Sequence, residues 1–198
     1  MGRRISRGRN DKGSPSGRLR IVAGKWRSRL LPVVIEPGLR PTSERIRETL
    51  FNWLASTING SRCLDLFAGT GALGLEALSR GAREVVFVEN SARAAAALKE
   101  SVKVLEATGA RIHQADAINF LQTDHEPFDI VFLDPPFAAD LLEDLCRLLS
   151  EGNWLADGAR IYVEQDRERP LPALPEGWTI LNDKTAGQVR YALVTVKS

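Results

Sequence analysis

The segment Asp134-Pro135-Pro136-Phe137 contains residue types that could carry out chemistry on an aromatic amino group. Such a group is a weak nucleophile because its lone pair is delocalised into the ring. The Asp134 carboxylate and the Pro135 carbonyl could accept hydrogen bonds from its two N–H groups and so free the lone pair. Both hydrogen bonds would strengthen as positive charge develops on nitrogen. Phe137 could stack on the ring and orient it. We therefore predict that Asp134, Pro135, Pro136 and Phe137 are catalytic.

The two prolines have a simpler interpretation, since any strand can end at Pro-Pro. That interpretation leaves the preceding acid and the following aromatic residue unexplained. The chemical interpretation also requires a target base that is unpaired or flipped out of its stack.

A glycine-rich segment, residues 64–74, follows a strand-like run and precedes a helix-like one. Gly69, Gly71 and Gly74 have the spacing G-x-G-x-x-G, and Glu89 follows where an acid that binds ribose hydroxyls is expected. This pattern is typical of NAD sites, and alone it also occurs in tight strand-to-helix turns.

Asp65 distinguishes between two cofactors. A carboxylate beside the loop disfavours the pyrophosphate of NAD, which needs the positive end of the helix. S-adenosylmethionine carries no phosphate, and its ammonium and sulfonium are positive. We expect Asp65 to attract the ammonium, Glu89 to bind the ribose and Asp116 to bind the adenine amino group, although Asp116 could instead cap a helix. The predicted cofactor-binding residues are Asp65, Phe67, Ala68, Gly69, Thr70, Gly71, Glu89, Asn90, Asp116 and Ala117.

The elements that position these residues alternate between strand and helix. Predicted strands are 63–67, 84–89, 111–114, 130–133 and 160–164, and predicted helices are 73–79, 92–108, 117–122 and 140–149. This order is typical of a parallel sheet with helices on both faces. Residues 178–181 and 189–196 follow as strands without a helix between them and must pair antiparallel. The layout is that of class I methyltransferases, an α/β fold with a Rossmann-like seven-stranded sheet and an antiparallel last strand.

Charge is concentrated near the N-terminus. Residues 3–29 contain ten basic side chains and one acid, whereas the remainder contains 17 basic and 24 acidic residues, a net charge of about −7. We expect residues 1–17 to be a disordered basic tail, residues 18–39 a β-hairpin, and residues 40–198 the methyltransferase domain. A basic tail could simply aid solubility, but Trp26 and strand-like apolar residues between the charges favour contact with RNA phosphates.

Other site types are disfavoured. Cys63 and Cys146 form no C-x-x-C pair, and with only two histidines we expect no metal site and no disulfide. No run of about 18 apolar residues occurs, and the basic N-terminus lacks the apolar core of a secretion signal, so we expect a cytoplasmic protein without membrane segments.

The motifs together resemble the amino-methyltransferases with a D/N-P-P-Y/F/W motif. The blocks Arg40-Pro-Thr-Ser-Glu-Arg-Ile-Arg-Glu-Thr-Leu-Phe-Asn-Trp-Leu54, Leu64-Asp-Leu-Phe-Ala-Gly-Thr-Gly-Ala-Leu-Gly74 and Asp134-Pro-Pro-Phe137 look like the RsmD-type family, over about residues 18–196. The resemblance implies methylation of guanine N2 in 16S ribosomal RNA by S-adenosylmethionine, with an assembling small ribosomal subunit as substrate. It leaves the extension before Arg18 unmatched.

The predicted RNA contacts lie in the hairpin and in the first block, whose arginines could alternatively be merely solvated. They are Arg18, Arg20, Lys25, Arg27, Arg29, Arg40, Thr42 and Arg45. We expect a monomer.

Four alternatives stay open. A DNA adenine-N6 methyltransferase shares the acceptor chemistry but usually needs a larger recognition region than this appendage. A protein-glutamine methyltransferase would favour Asn at position 134. A NAD-dependent reductase leaves Asp65 and the Asp134 motif unexplained, and a non-catalytic RNA-binding protein would not need the acceptor pair.

Overall fold

A computed structural model describes residues 16–34, 42–137 and 139–197. These residues form nine strands and five helices. The strands are β1 (Ser16–Arg20), β2 (Leu30–Val34), β3 (Arg62–Asp65), β4 (Glu84–Glu89), β5 (Ala110–Gln114), β6 (Phe128–Leu133), β7 (Leu155–Asp166), β8 (Trp178–Ala186) and β9 (Val189–Val196). The helices are α1 (Glu44–Trp53), α2 (Ala72–Ser79), α3 (Ala92–Val104), α4 (Ala117–Phe120) and α5 (Leu142–Glu151).

Seven strands form one sheet in the order β5-β4-β3-β6-β7-β9-β8. Strands β3 to β7 are parallel, and β9 pairs antiparallel with both β7 and β8. The strand order reverses between β3 and β6, the place where open α/β sheets bind ligands beyond the carboxyl ends of their strands. The predicted α/β class I methyltransferase fold is confirmed.

Buried apolar layers cover both faces of the sheet. One layer contains residues of α1, α2, α3 and the β1–β2 hairpin, including Leu50, Leu75 and Leu31. The other contains residues of α4 and α5, including Phe120 and Leu145. The hairpin therefore shares a core with the sheet, because its apolar side chains complete the layer over α1 and α2.

A buried carboxylate joins the hairpin to the helices. Both oxygens of Glu76 in α2 accept hydrogen bonds from the hairpin loop, from the N–H groups of Val22 (2.8 Å) and Ala23 (2.9 Å). Glu76 also pairs with Arg80 (2.7 Å) and with the buried Arg47 of α1 (3.4 Å), whose other nitrogen donates to the carbonyl of Arg20. Arg47, which sequence analysis placed in a block facing RNA or solvent, is instead a structural link, because ion pairing satisfies its buried charge.

Several element boundaries differ from the prediction. The hairpin begins at Ser16, because Ser16 and Gly17 pair with Val34 and Val33. Helix α3 ends at Val104 instead of 108, since Glu106 adopts a left-handed conformation at φ 51°. Strand β8 extends well beyond its predicted limit because it pairs along its length with β9. Strand β7 is also longer than predicted, because it pairs with β9 over residues 160–166 and with β6 as far back as Leu155.

Two further expectations concern cysteines and membranes. Cys63 and Cys146 are buried free thiols, and burial raises the pKa of each to about 12. Among the described residues, no helix is both long enough and apolar enough to cross a bilayer.

Candidate active site

The sequence motifs meet at one edge of the sheet. In the parallel ladder, Asp65 lies between Phe87 of β4 and Phe132 of β6. Glu89 and Asp134 each follow these neighbours by two residues. The ends of three adjacent strands therefore bring the predicted cofactor and catalytic acids to the same edge.

Geometry explains why two positions of the loop are glycine. Gly71 caps α2 at φ 78°, a left-handed conformation that favours glycine. A Cβ on Gly74 would lie 2.2 Å from the ring of Phe87, so glycine permits α2 to pack against β4. The loop thereby brings backbone N–H groups close to the ends of β3 and β4.

Asp65 is buried at 2% exposure, and its Oδ2 accepts a hydrogen bond from the Gly74 N–H at 3.0 Å. Burial raises the pKa of Asp65 to about 7, against the lowering effect of the Gly74 hydrogen bond. In the described part of the chain no cationic side chain forms an ion pair with Asp65. A buried carboxylate of this kind is stabilised by a cationic ligand, so the site fits the ammonium of S-adenosylmethionine.

Glu89 organises the loop next to Asp65. Its Oε2 accepts from the N–H of Gly69 and its Oε1 from the N–H of Ser91, both at 2.7 Å. The residue is only partly buried, and a carboxylate has about four acceptor positions, so it retains capacity for ribose hydroxyls.

Asp116 caps α4, with Oδ1 accepting from the N–H groups of Ile118 (3.0 Å) and Asn119 (3.1 Å). Both bonds use one oxygen of an exposed side chain, so capping and adenine binding are compatible. The remaining predicted cofactor residues surround the loop. Ala68, Gly69, Gly71 and Ala117 are buried, Phe67 and Thr70 are partly buried, and Asn90 is exposed.

Thr42 contacts the predicted catalytic acid. Its buried hydroxyl donates to Oδ2 of Asp134 at 3.1 Å, bridging the start of α1 and the end of β6. Thr42, which was predicted to contact RNA, thus has a buried side chain whose hydroxyl is directed at Asp134.

A cavity of about 420 Å³ lies beside the Asp134 motif. Pro135, Pro136 and Phe137 form one wall, and the buried Glu164 and Gln165 of β7 form another. Gln165 donates to the carbonyls of Arg169 (2.9 Å) and Pro170 (2.7 Å), which holds the following loop over the cavity. This size suits a small planar ligand. The residues of the first wall belong to the predicted catalytic motif, whereas no local motif marks those of the second.

The predicted RNA residues lie mainly on the hairpin. Arg18, Arg20, Lys25, Arg27, Arg29 and Arg45 are exposed, and Arg40 lies outside the described residues. Pro32, Val33 and Val34 of β2 lie against Gly69 and Thr70 across a narrow cleft. The basic hairpin thus flanks the cofactor loop.

Comparison with known proteins agrees with this architecture. The family described as Conserved hypothetical protein 95 matches residues 19–195. The chain is 49% identical over 180 residues to "Ribosomal RNA small subunit methyltransferase D" of Escherichia coli K12, covering 91% of each protein. A protein of the same name from Haemophilus influenzae is 49% identical over 181 residues, covering 89% of this chain and 93% of that protein.

Solved structures give the same result. A putative methyltransferase, YhhF from Escherichia coli, matches with a TM-score of 0.86 and 45% identity, covering 91% of this chain and 99% of that one. A more distant putative methyltransferase, SMU.776, was solved with SAH and shares the fold at 15% identity and a TM-score of 0.68, with 84% of this chain and 53% of that chain covered. The predicted cofactor, S-adenosylmethionine, is confirmed by these likenesses. The fold, the motifs and the relatives of this chain together show that it belongs to the RsmD-type family of methyltransferases.

Proposed function

We propose that this protein methylates the exocyclic N2 amino group of a guanine in 16S ribosomal RNA, within an assembling small ribosomal subunit. The observation that carries the chemistry is the position of Asp134 and Pro135, beside a base-sized cavity and at the same sheet edge as Asp65 and Glu89. The names of the relatives support small-subunit ribosomal RNA as the substrate.

Each group in the site has a definable task in this reaction. S-adenosylmethionine, when bound, supplies a methyl group on a positively charged sulfur. Asp65 binds its ammonium, and Glu89 binds its ribose. Asp134 and the Pro135 carbonyl accept hydrogen bonds from the two N–H groups of the target amine. The Asp134 carboxylate also stabilises the positive charge that develops on nitrogen.

The partly buried Phe137 and the prolines determine how the base enters. Phe137 lines the cavity while packing against the core beneath it, so its ring presents a fixed stacking surface. The N–H of Ala139 donates to the Pro136 carbonyl at 2.8 Å and closes a turn after the motif. Preorganisation of this kind contributes to orientation of the reacting atoms.

The basic side chains of the hairpin and of α1 supply affinity for the RNA backbone. Their exposure beside the cofactor loop supports this role for Arg18, Arg20, Lys25, Arg27, Arg29 and Arg45. We further propose that the protein acts as a monomer.

The test of the function is the isosteric variant Asp134→Asn. We expect kcat to fall at least about 10²-fold, because the amide lacks the charge that stabilises the developing cation, whereas affinity for S-adenosylhomocysteine stays within a few-fold. Methyl transfer to small subunits from a strain that lacks this modification, followed by mass spectrometry of the RNA, measures the product. Undiminished turnover, or a product other than N2-methylguanosine, would contradict the proposal.

The cofactor role of the loop has its own measurement. Calorimetry should show binding of S-adenosylhomocysteine and none of NADH. Binding of NADH instead would favour a reductase and remove the assignment of Asp65.

A further inference from the structure

The strand next to the catalytic motif carries a buried carboxylate near its carboxyl end, Glu164, that the proposed reaction has not used. Leu133 of β6 pairs with Val163 of β7, so Asp134 and Glu164 occupy the next corresponding positions of two adjacent strands. Phe132 and Tyr162 belong to the same apolar layer. Because side chains alternate along a strand, Asp134 and Glu164 project toward that same face.

Glu164 is held in place by a buried tyrosine. The hydroxyl of Tyr162 donates to Oε2 of Glu164 at 2.6 Å. Tyr162 packs against the rings of Phe132 and Tyr191, so its hydroxyl has little freedom. A carboxylate has about four acceptor positions and can therefore bind several donors at once.

The cavity places this carboxylate opposite the motif that follows β6. Glu164 lines the same 420 Å³ space as Pro135 and Phe137. A base stacked on Phe137 with its amine at Asp134 and Pro135 would therefore turn the adjoining part of its Watson–Crick edge toward β7.

We propose that Glu164 selects guanine by accepting a hydrogen bond from the N1–H of the target base. This inference rests on the proposed function and names the residue that determines its base specificity. Guanine presents two donors side by side, N1–H and the N2 amino group, which match two neighbouring acceptors. Adenine presents an acceptor at N1 next to its N6 amino group, so a carboxylate at Glu164 would face a lone pair and lose its partner.

Glu164 would therefore disfavour adenine N6, the alternative target that shares the acceptor chemistry. A site built to accept a hydrogen bond rejects a ligand that lacks the donor, because an acceptor of the ligand then faces an acceptor of the site. For one acceptor in a partly open cavity, we expect discrimination of roughly tenfold to hundredfold.

The experiment uses two RNAs that differ at the target nucleotide. One carries guanosine and the other 2,6-diaminopurine riboside, which keeps the N2 amino group but has an unprotonated N1. Both are ligated into 16S RNA and assembled with small-subunit proteins. Wild-type enzyme should prefer guanosine by at least about tenfold in kcat/KM.

The variant Glu164→Gln should narrow that preference at least about tenfold, because the glutamine amide can donate to the unprotonated N1. Glu168→Gln is the matched control, since it removes the same charge from an exposed position four residues along the chain. It should keep the wild-type preference. The unfolding temperature and the affinity for S-adenosylhomocysteine report whether Glu164→Gln folds.

The outcomes separate the two proposals. If wild-type enzyme methylates diaminopurine as well as guanosine, or if Glu164→Gln folds and keeps the full preference for guanosine, Glu164 does not read N1 and this inference fails while the proposed function stands. If wild-type enzyme places no methyl group on the guanine N2, the proposed function itself fails. If the variant does not fold, equal turnover of the two RNAs by wild-type enzyme still overturns the inference.

Discussion

At the scale of single residues, the acids at the sheet edge have different environments, which support the different roles proposed for them. Asp65 is enclosed and lacks a cationic partner in the described part of the chain, whereas Glu89 is partly exposed and tied to the Gly69 and Ser91 N–H groups. Asp134 directly precedes the residues that line a cavity, and it accepts a hydrogen bond from the Thr42 hydroxyl. Burial and hydrogen bonding thus distinguish an acid suited to a cation from one suited to hydroxyl groups and one suited to a reacting amine.

Cofactor affinity should depend on pH through Asp65. With the pKa raised to about 7, the carboxyl is largely neutral at pH 6 and largely ionised at pH 7.5. Because an ammonium binds the ionised form, affinity for S-adenosylhomocysteine should rise roughly fivefold to tenfold over this interval. Calorimetry at several pH values measures the effect.

The matched variant for this measurement is Asp65→Asn, which should bind more weakly at pH 7.5. Its affinity should vary little between pH 6 and pH 7.5. A pH dependence that persists in Asp65→Asn would assign the titration to another group.

Removing the hydrogen bond between Thr42 and Asp134 should affect turnover more than cofactor binding. Thr42→Val deletes the hydrogen bond to Asp134 while keeping the shape, and a hydrogen bond to a charged group contributes about 1.5–3 kcal/mol. We expect kcat to fall roughly tenfold to hundredfold, with cofactor affinity unchanged. Thr42→Ser keeps the hydroxyl and should retain most activity; equal losses in both variants would show that Thr42 acts through packing alone.

At the scale of elements, the hairpin packs against the end of α2 so closely that one position leaves no space for a side chain. Gly24 has φ 81°, and a Cβ there would lie 1.9 Å from the carbonyl oxygen of Ser79. The Ser79 side chain also accepts from the Trp26 N–H at 3.0 Å. The end of α2 and the hairpin loop therefore form one packed unit.

Gly24→Ala should destabilise the protein by about 2–4 kcal/mol, since the backbone must move to relieve the overlap. Gly187→Ala is the control. Gly187 also has a positive φ, 60°, but nothing lies within 4 Å of its added Cβ, so about 1 kcal/mol of conformational strain is expected. Denaturant unfolding compares the two variants, and equal losses would show that the hairpin loop can adjust.

The sequence allowed us to predict elements whose signals are local. The loop at Gly69 and Gly71, the acids Asp65 and Glu89, and the ends of most strands follow from spacing and chain order. The contact of Thr42 with Asp134 joins elements that are distant along the chain. The same is true of the cavity that Glu164 shares with Phe137. The lengths of β7 and β8 similarly depend on pairing with β6 and β9, and Arg47 is a buried link because Glu76 lies opposite it. Such partners arise from tertiary packing, which no local pattern encodes.

At the scale of the whole molecule, the uneven charge along the chain becomes a polar arrangement in space. Basic side chains stand on the hairpin, and this hairpin borders the cofactor loop instead of lying at a remote surface. An RNA held by the hairpin would therefore lie close to the reacting edge of the sheet.

Charge removal on the hairpin should alter the salt dependence of RNA binding. The double variant Arg27→Ala/Arg29→Ala should weaken affinity and reduce the slope of log K against log salt by up to about 1.4–1.8, if each arginine contacts one phosphate. Filter binding at several salt concentrations measures this slope. Arg147→Ala, an exposed arginine on α5, is the control, and an unchanged slope in the double variant would place the RNA elsewhere.

The sheet order has a consequence for synthesis of the protein. Strand β9 follows every other strand in the chain but lies inside the sheet, between β7 and β8. Until residues 189–196 have left the ribosome, the edge of β7 that will pair with β9 is unpaired. Glu164 lies on this strand. The cofactor loop can thus form early, whereas the wall that contains Glu164 is completed last, and an interrupted chain would expose an edge prone to aggregation.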